Sequence, residues 1–172
     1  KNLNFQRRSN LTIKNAHNFL NEKIKKGNEL ALVLQNELQE IMWKYCGVVK
    51  NEENLNIGLD KLNNLKTLSN NIDVRLSDNN CQDLINCLNF HSSILTAEAT
   101  ILSSIARKES RGSHQRSDFR KTDNKFNCNF SINLINGKLI PKRIKLKELS
   151  SYQTKIVNDF DSVLNFKGRL LE

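Results

Sequence analysis

The sequence predicts a mainly α-helical protein: an antiparallel, up-down-up bundle of three helices, then a small β-hairpin and a C-terminal helical tail. Apolar residues recur at spacings of three and four along most of residues 28–106, which is typical of amphipathic helices. One proline and six glycines in 172 residues leave long elements uninterrupted. Asn136-Gly137 separates two short alternating runs, as in a hairpin turn.

Residues 1–27 are predicted to form a linker or a loosely attached arm. This segment is polar, rich in asparagine and basic, and it offers few apolar side chains that could anchor it to a core. The chain begins at Lys1 and its only methionine is Met42. We therefore expect a domain that belongs to a longer polypeptide.

Residues 28–119 are predicted to hold the three helices. The first begins near Asn28 and ends at Gly47, because glycine commonly follows the last helical turn. The second begins at the cap residue Asn51 and runs to about Leu76. Ser77–Asn80 is predicted to be a turn and cap before the third helix, whose apolar stripe is predicted to be Leu84, Leu88, Leu95, Ala99, Leu102 and Ala106.

Residues 120–147 are predicted to form the β-hairpin extension. Its two strands contain the runs 130–134 and 139–146, and Pro141 requires an edge strand because it cannot donate a ladder hydrogen bond. Residues 148–172 form the C-terminal tail, in which the weakly amphipathic pattern of Leu149–Leu164 favours a last helix.

The net charge of +9 is unevenly distributed along the chain. The helical middle is acidic, whereas the start, residues 107–125 and residues 138–147 are basic. A basic protein suggests a nucleic-acid partner, but aromatic residues do not alternate with the bases and no recognition motif is present, so we predict none. No apolar run reaches the roughly 20 residues of a membrane span, and the start resembles no secretory signal.

The cysteines and one histidine have structural interpretations. The four cysteines contain no Cys-x-x-Cys pair, which indicates reduced thiols in a cytoplasmic protein and no metal site. His91, on the apolar face of the third helix, is interpreted as a hydrogen-bonded core residue. Trp43 and Tyr45 are expected in the core or at a domain interface.

The most informative segment is residues 107–119, which follows the third helix and gathers two acids, four bases and a histidine. The helix dipole favours cations at this end but disfavours Glu109, so we expect Glu109 to pair with an arginine. No nucleophile or second base accompanies the histidine, and no glycine-rich phosphate loop is present. We therefore predict no catalytic, cofactor-binding or metal residue here, and we predict a domain interface formed by Trp43, Arg107, Glu109, Ser110, Arg111, His114, Arg116 and Asp118.

Two segments carry a family resemblance. Residues 37–55 contain Met-Trp-Lys-Tyr-Cys-Gly-Val-Val-Lys-Asn-Glu-Glu-Asn-Leu, and residues 106–114 contain Ala-Arg-Lys-Glu-Ser-Arg-Gly-Ser-His. Their order and spacing resemble the C-terminal helical domain of the succinate dehydrogenase/fumarate reductase flavoprotein family. The resemblance covers about residues 29–146, with Arg120 and Cys46 where the family usually has proline and valine.

The resemblance implies a supporting role for this chain. The parent would be an FAD-dependent oxidoreductase that interconverts succinate and fumarate and passes electrons to an iron-sulfur subunit. FAD, substrate and catalytic residues would belong to preceding domains, and this domain would pack against the flavin-binding domain. The parent would be cytoplasmic, peripheral at the inner face of a membrane without inserting into it, and the isolated fragment would be inactive.

The sequence leaves two alternatives open. L-aspartate oxidases share the Glu-Ser-Arg-Gly motif but favour Thr-Leu-Asp-Tyr-Pro after the histidine, whereas the Arg-Ser-Asp-Phe of residues 116–119 follows the succinate dehydrogenase form. The second alternative, from a different class, is a stand-alone basic helical module that binds an anionic partner.

Overall fold

The computed structural model describes residues 10–76 and 81–168, which form five α-helices, a parallel two-stranded ladder and an antiparallel hairpin. The prediction of a mainly helical chain with one small antiparallel hairpin is confirmed. A 3-10 turn at Asn124–Phe126 precedes the hairpin. In chain order the other elements are α1 (Asn10–Lys23), α2 (Ala31–Tyr45), β1 (Val49–Lys50), α3 (Glu52–Ser69), α4 (Gln82–Ala106), β2 (Gln115–Arg116), β3 (Cys128–Ile135), β4 (Lys138–Lys145) and α5 (Ser151–Gly168).

Helices α2, α3 and α4 each pack against the other two and bury a common core. Each helix contributes one stripe of apolar side chains, and burying a leucine or phenylalanine stabilises the fold by roughly 1.5–3 kcal/mol. At Gly58 of α3 an added Cβ would lie 3.0 Å from the Cβ of Tyr45, so glycine lets two helices approach closely there. The most deeply buried apolar side chains are Leu34, Leu55, Leu62, Leu65, Ile72, Phe90 and Ile101.

The predicted end of the second helix is wrong, because α3 stops at Ser69 rather than near Leu76. A turn at Asn70-Asn71 ends the helix, and asparagine favours such turns. Ile72 and Val74 remain buried in extended backbone that hydrogen-bonds to residues 25–29. Ile72 and Val74 are therefore core residues that lie beyond the end of the helix.

The predicted apolar stripe of the third helix is also wrong. Leu95 is 45% exposed, and the buried face is offset from the predicted one. The apolar residues of α4 are not confined to one stripe, so more than one set of them satisfies a spacing of three and four. Packing against α2 and α3 selects the stripe Cys87, Phe90, Ile94, Ala97, Ile101 and Ser104.

The segment predicted as a linker or arm contains a helix, because residues 10–23 form α1. Ile24 packs against the core, and the backbone around Gly27 lies against that of residues 71–73. An added Cβ at Gly27 would lie 2.1 Å from the Asn71 carbonyl oxygen, so this close approach requires glycine. Because this segment is mostly polar, its sequence showed no clear apolar spacing from which the helix could be predicted. The boundary at residue 27 stays a prediction, and residues 1–9 and the predicted 77–80 turn lie outside the described residues.

The hairpin and the C-terminal helix form as predicted. β3 and β4 pair in register Ile132↔Pro141, and both turn residues have positive φ, 49° at Asn136 and 76° at Gly137, as an Asn-Gly type I′ turn requires. β3 and β4 both contact α4. Within the described residues, no helix combines the length and apolarity needed to cross a bilayer.

Candidate domain interface

Residues 107–123, called the 107–123 loop below, fold around two buried charged side chains. Glu109 is completely buried and Arg116 is 1% exposed. Charged residues are almost never fully buried unless they are paired. The contacts that pair them therefore determine how the loop is built.

Glu109 is held by two arginines and one backbone group. Its carboxylate accepts hydrogen bonds from Arg107 at 2.5 Å, from Arg111 at 2.9 Å and from the Asp123 N–H at 2.9 Å. Burial alone would raise the pKa of this carboxyl, but the hydrogen bonds from Arg111, Asp123 and Arg107 outweigh burial and lower the pKa to about 2. The predicted pairing of Glu109 with an arginine is thus confirmed, and both partners lie in its own loop.

Arg116 joins the loop to two helices. Its guanidinium makes two 2.7 Å hydrogen bonds to the Asp118 carboxylate and a third to the Ser104 carbonyl of α4. Asp118 in turn accepts the Glu52 N–H at the first turn of α3, at 2.8 Å. The bonds from Arg116 are the main reason that the pKa of Asp118 lies well below its ordinary value. The C-terminal end of α4 and the N-terminal end of α3 are therefore connected through one ion pair.

Ser110 and a glycine turn complete the loop. The Ser110 hydroxyl donates to the Phe119 carbonyl and accepts the Arg116 N–H, both at 2.8 Å. Arg111 and His114 exchange backbone hydrogen bonds around Gly112, whose φ of +56° favours glycine. An added Cβ at Gly112 would meet no atom within 4 Å, so the conformation, and not a close neighbour, requires glycine.

A parallel ladder between β1 and β2 was not predicted from the sequence. Val49 pairs with Gln115, and the Ser117 N–H donates to the Lys50 carbonyl at 2.8 Å. The ladder attaches the 107–123 loop to the segment that joins α2 and α3. Two-residue strands that pair across sixty-six positions leave no local pattern by which they could be recognised.

We call three exposed apolar side chains, one in the last turn of α2 and two in the segment between α2 and α3, the apolar patch. Trp43 is 81% exposed, Val48 is 70% exposed and Val49 is 66% exposed. Val49 also lines a shallow cleft of about 360 Å³ with Ser117 and Arg120. Of the two interpretations of Trp43, the structure excludes the core.

The predicted interface residues therefore fall into two groups. Glu109, Ser110 and Arg116 are buried and organise the loop, so their charges and hydroxyl need no partner outside the chain. Nearby residues of the same chain already neutralise Glu109 and Arg116, so these two charges are not available to pair across an interface. The residues with accessible surface are Trp43, Arg107, Arg111, His114 and Asp118, and for them the interface role stays a prediction.

His91 occupies the hydrogen-bonded position that the sequence indicated. Its Nδ1 donates to the Cys87 carbonyl at 2.8 Å, which leaves Nε2 to accept a hydrogen bond from Lys23 of α1 at 3.2 Å. All four cysteines are free, and among the described residues no cluster of three His, Cys, Asp or Glu side chains could hold a metal ion.

We expect the chain to lose stability as the pH falls from about 7.5 to about 5.5. Burial is the main reason that the pKa of both His91 and His114 lies below the ordinary 6.5. A hydrogen bond to a backbone carbonyl raises each pKa in part, and nearby lysine and arginine side chains lower it further. The unfolded chain then binds more protons than the folded chain below about pH 6.5, so protonation favours unfolding.

Thermal unfolding of the double variant His91→Gln/His114→Gln measures this effect. We expect the fall in Tm between the two pH values to shrink in the double variant and to persist in the control His17→Gln, which replaces an exposed histidine. An undiminished fall in Tm in the double variant would contradict the prediction.

Known proteins resemble this chain over a region that includes the 107–123 loop and the two helices that it joins, α3 and α4. The sequence profile described as fumarate reductase flavoprotein C-term matches residues 35–158. An uncharacterized FAD-dependent oxidoreductase of Methanocaldococcus jannaschii is 31% identical over 107 residues, which cover 62% of this chain and 19% of that protein. The fumarate reductase flavoprotein subunit of Haemophilus influenzae is 31% identical over 100 residues, which cover 56% of this chain and 16% of that protein.

Other similarities include a second enzyme class and solved structures. L-aspartate oxidase of Pyrococcus furiosus is 31% identical over 83 residues, covering 48% of this chain and 13% of that protein. Mycobacterium smegmatis Sdh1 in complex with UQ1 shares the fold with a TM-score of 0.73 at 20% identity, over 83% of this chain and 24% of that one. An E. coli quinol fumarate reductase FrdA variant has the same TM-score at 22% identity, over 81% of this chain and 25% of that one.

Proposed function

This chain belongs to the succinate dehydrogenase/fumarate reductase flavoprotein family as its C-terminal domain, and we propose that it supports the flavin-binding domain of an enzyme that interconverts succinate and fumarate. The observation that carries the proposal is the family match over residues 35–158, which contains the whole 107–123 loop. Because the family match accounts for this region, the alternative of a stand-alone binding module is not needed to explain it.

We place FAD outside these residues. The chain spans about a fifth of the length of the first curated relatives that it matches. Its sequence contains no Gly-x-Gly-x-x-Gly, the glycine pattern with which a dinucleotide's pyrophosphate is commonly bound. We therefore propose that FAD binds, and that the chemistry takes place, on another part of the parent polypeptide.

The surface proposed to contact the flavin-binding domain is the apolar patch together with the accessible residues of the 107–123 loop. Exposed apolar side chains beside polar groups are typical of protein interfaces. We further propose that α2, α3 and α4 run in the predicted up-down-up order. In the parent, electrons would pass to an iron-sulfur subunit, and the complex would lie in the cytoplasm at the inner face of a membrane.

Succinate and fumarate are favoured over L-aspartate by the segment that follows His114. Arg116, Asp118 and Phe119 match the form expected of succinate dehydrogenases. In the structure the Arg116 guanidinium binds Asp118 and stacks on the Phe119 ring at 4.9 Å. An L-aspartate oxidase, which would use oxygen or fumarate as acceptor, remains the second candidate because relatives of that name are also similar.

The proposal predicts an upstream reading frame and a flavoenzyme. We expect the coding sequence before Lys1 to encode a Gly-x-Gly-x-x-Gly strand-turn-helix, and the full-length product to bind FAD and to reduce fumarate with a dye donor. The 172-residue chain alone should bind no flavin and oxidise no succinate. L-aspartate oxidation in place of fumarate reduction would favour the second candidate, and flavin activity of the 172-residue chain would overturn the proposal.

The domain contact is tested in the same full-length protein. Trp43→Ser should increase protease cleavage between the two domains, because it removes the largest side chain of the apolar patch. Tyr152→Ser is the matched control, since Tyr152 of α5 is 74% exposed and lies outside the proposed contact. Equal cleavage in both variants would exclude the apolar patch as the contact surface.

A further inference from the structure

We propose that Asn136 is a modification site, where the side chain loses ammonia through a cyclic imide, and that the hairpin turn controls this reaction. Asn136-Gly137 is the only Asn-Gly pair in the sequence. Asparagine followed by glycine reacts in this way most readily, because glycine has no side chain to shield its backbone nitrogen. The reaction joins two adjacent residues of this chain, so it does not depend on the proposed function.

The reaction releases ammonia in its first step and consumes water in its second. The Gly137 backbone nitrogen loses its proton to hydroxide and attacks the Cγ of Asn136. An N–C bond then forms, the Cγ–Nδ2 bond breaks, and the Nδ2 group leaves as ammonia. Water afterwards opens the imide ring: attack at Cγ restores the original backbone and leaves aspartate, whereas attack at the backbone carbonyl carbon leaves isoaspartate, whose chain continues through the side-chain carbons.

Both reacting groups are open to solvent at the tip of the hairpin. Asn136 and Gly137 are exposed, and an added Cβ at Gly137 would meet no atom within 4 Å. Hydroxide and water therefore reach the turn without any rearrangement of this chain. Because solvent access does not limit the reaction, the conformation of the turn decides whether it takes place.

The folded turn keeps the attacking nitrogen away from the side chain. Asn136 and Gly137 have φ of 49° and 76°, and Ile135 pairs with Lys138 across them, as in a two-residue type I′ turn. Such a turn has ψ of about +30° at its first central residue, which places the next nitrogen on the opposite side of the Cα–C bond from Cβ. The imide ring closes only after a large rotation about this bond, and that rotation opens the turn. The folded hairpin therefore protects Asn136.

Contacts at the start of β3 hold the hairpin closed. Phe130 stacks with Phe126 at a ring separation of 6.5 Å, and the Arg107 guanidinium lies 4.9 Å from the centre of the Phe130 ring. Arg107 also donates to the carbonyls of Phe126 and Cys128, which fixes the start of β3 at the C-terminal end of α4. Since the turn must open before the ring closes, the rate of imide formation at Asn136 depends on how often these contacts let the hairpin open.

The two products differ in whether the hairpin closes again. Aspartate keeps the original backbone, and Asp-Gly is itself favoured in type I′ turns. Isoaspartate adds one carbon to the backbone of a two-residue loop, so the register that pairs Ile135 with Lys138 is lost. Isoaspartate formation therefore removes the turn that had delayed the reaction.

Incubation of the 172-residue chain at mildly alkaline pH, followed by peptide mass spectrometry, tests the proposal. We expect both products at Asn136, formed at least about tenfold more slowly in the folded chain than in the same chain unfolded in urea, since an opening free energy of about 1.4 kcal/mol gives a tenfold difference. Asn133, which precedes leucine in the same hairpin, is the internal control and should react far more slowly in both samples. Equal rates at Asn136 in the folded and unfolded chain, or no reaction there in urea, would overturn the proposal.

A matched pair of variants tests whether opening of the hairpin limits the reaction. Phe130→Ala removes the ring that holds the start of β3 and should raise the rate at Asn136 in the folded chain at least about threefold. Phe19→Ala removes a ring of α1 that is 50% exposed, and it should leave the rate unchanged. Far-UV circular dichroism verifies that each variant is folded. An unchanged rate in folded Phe130→Ala, or an equal increase in Phe19→Ala, would contradict control by the hairpin.

Hydrogen exchange of the separated products tests what the modification does to the fold. The isoaspartate form should lose amide protection along β3 and β4, whereas Asn136→Asp, which carries the same added charge on an unaltered backbone, should keep it. This comparison does not rely on any variant in the hairpin strands. Full protection of the hairpin in the isoaspartate form would show that the turn is not what the modification removes, and the proposal would fail.

Discussion

Replacing Glu109 with alanine is expected to lower the free energy of unfolding by about 3 kcal/mol, because removing one partner of a buried ion pair leaves the other charges unpaired. Arg107 and Arg111 would both lose their carboxylate, and the Asp123 N–H would lose its acceptor. For a chain of this length the change corresponds to a fall in Tm of roughly 6–12 °C.

The comparison that isolates this effect uses Glu37→Ala. Glu37 is an exposed residue of α2, so its replacement should change stability by no more than about 0.5 kcal/mol. Urea unfolding at neutral pH measures both variants, since the pKa of about 2 keeps Glu109 ionised there. If Glu109→Ala matched Glu37→Ala, the carboxylate would not organise the loop.

Elements with local signals could be predicted from the sequence. Asn51 caps α3 as predicted, by accepting the Asn54 N–H, and the acidic Glu52 and Glu53 occupy the first turn. Asn136-Gly137 places both residues at positive φ, which sets the hairpin register. In each case the residues that specify the conformation are adjacent in sequence, so no tertiary information was needed.

Features that depend on tertiary contacts could not be predicted in the same way. The end of α3 and the buried face of α4 follow from packing, because the apolar spacing was compatible with more than one solution. The charge cluster around Glu109 was recognised, but not its burial. A sequence indicates that acids and bases are near each other, and only the fold shows that they neutralise each other within one loop.

The burial of Glu109 and Arg116 gives the family motif a structural role within the domain. Glu109 connects the loop to the start of the 3-10 turn through Asp123, while Arg116 connects it to α4 and, through Asp118, to α3. The two buried charges thus hold the ends of three elements in one arrangement. Val49 of the apolar patch pairs with Gln115 of this loop, so the buried part of the motif positions a part of the surface that would contact the flavin-binding domain.

Replacing Arg116 with alanine should lower the free energy of unfolding by about 4 kcal/mol, since hydrogen bonds to charged groups contribute about 1.5–3 kcal/mol each and a buried cavity adds to the loss. The variant would lose two bonds to Asp118, the bond to the Ser104 carbonyl and the contact with the Phe119 ring. Asp118 would then hold the N-terminal end of α3 without its cation.

Two further arginine variants test whether the stability that Arg116 contributes depends on the geometry of its hydrogen bonds or on its charge alone. Arg116→Lys keeps the charge but cannot form the paired bonds to Asp118, so we expect it to recover less than half of the lost stability. Arg120→Ala is the matched control, because Arg120 is exposed and makes one hydrogen bond, to the Ser117 carbonyl. Full recovery by Arg116→Lys would mean that a positive charge alone suffices, and a loss of about 4 kcal/mol in Arg120→Ala would mean that the loop is sensitive to any arginine.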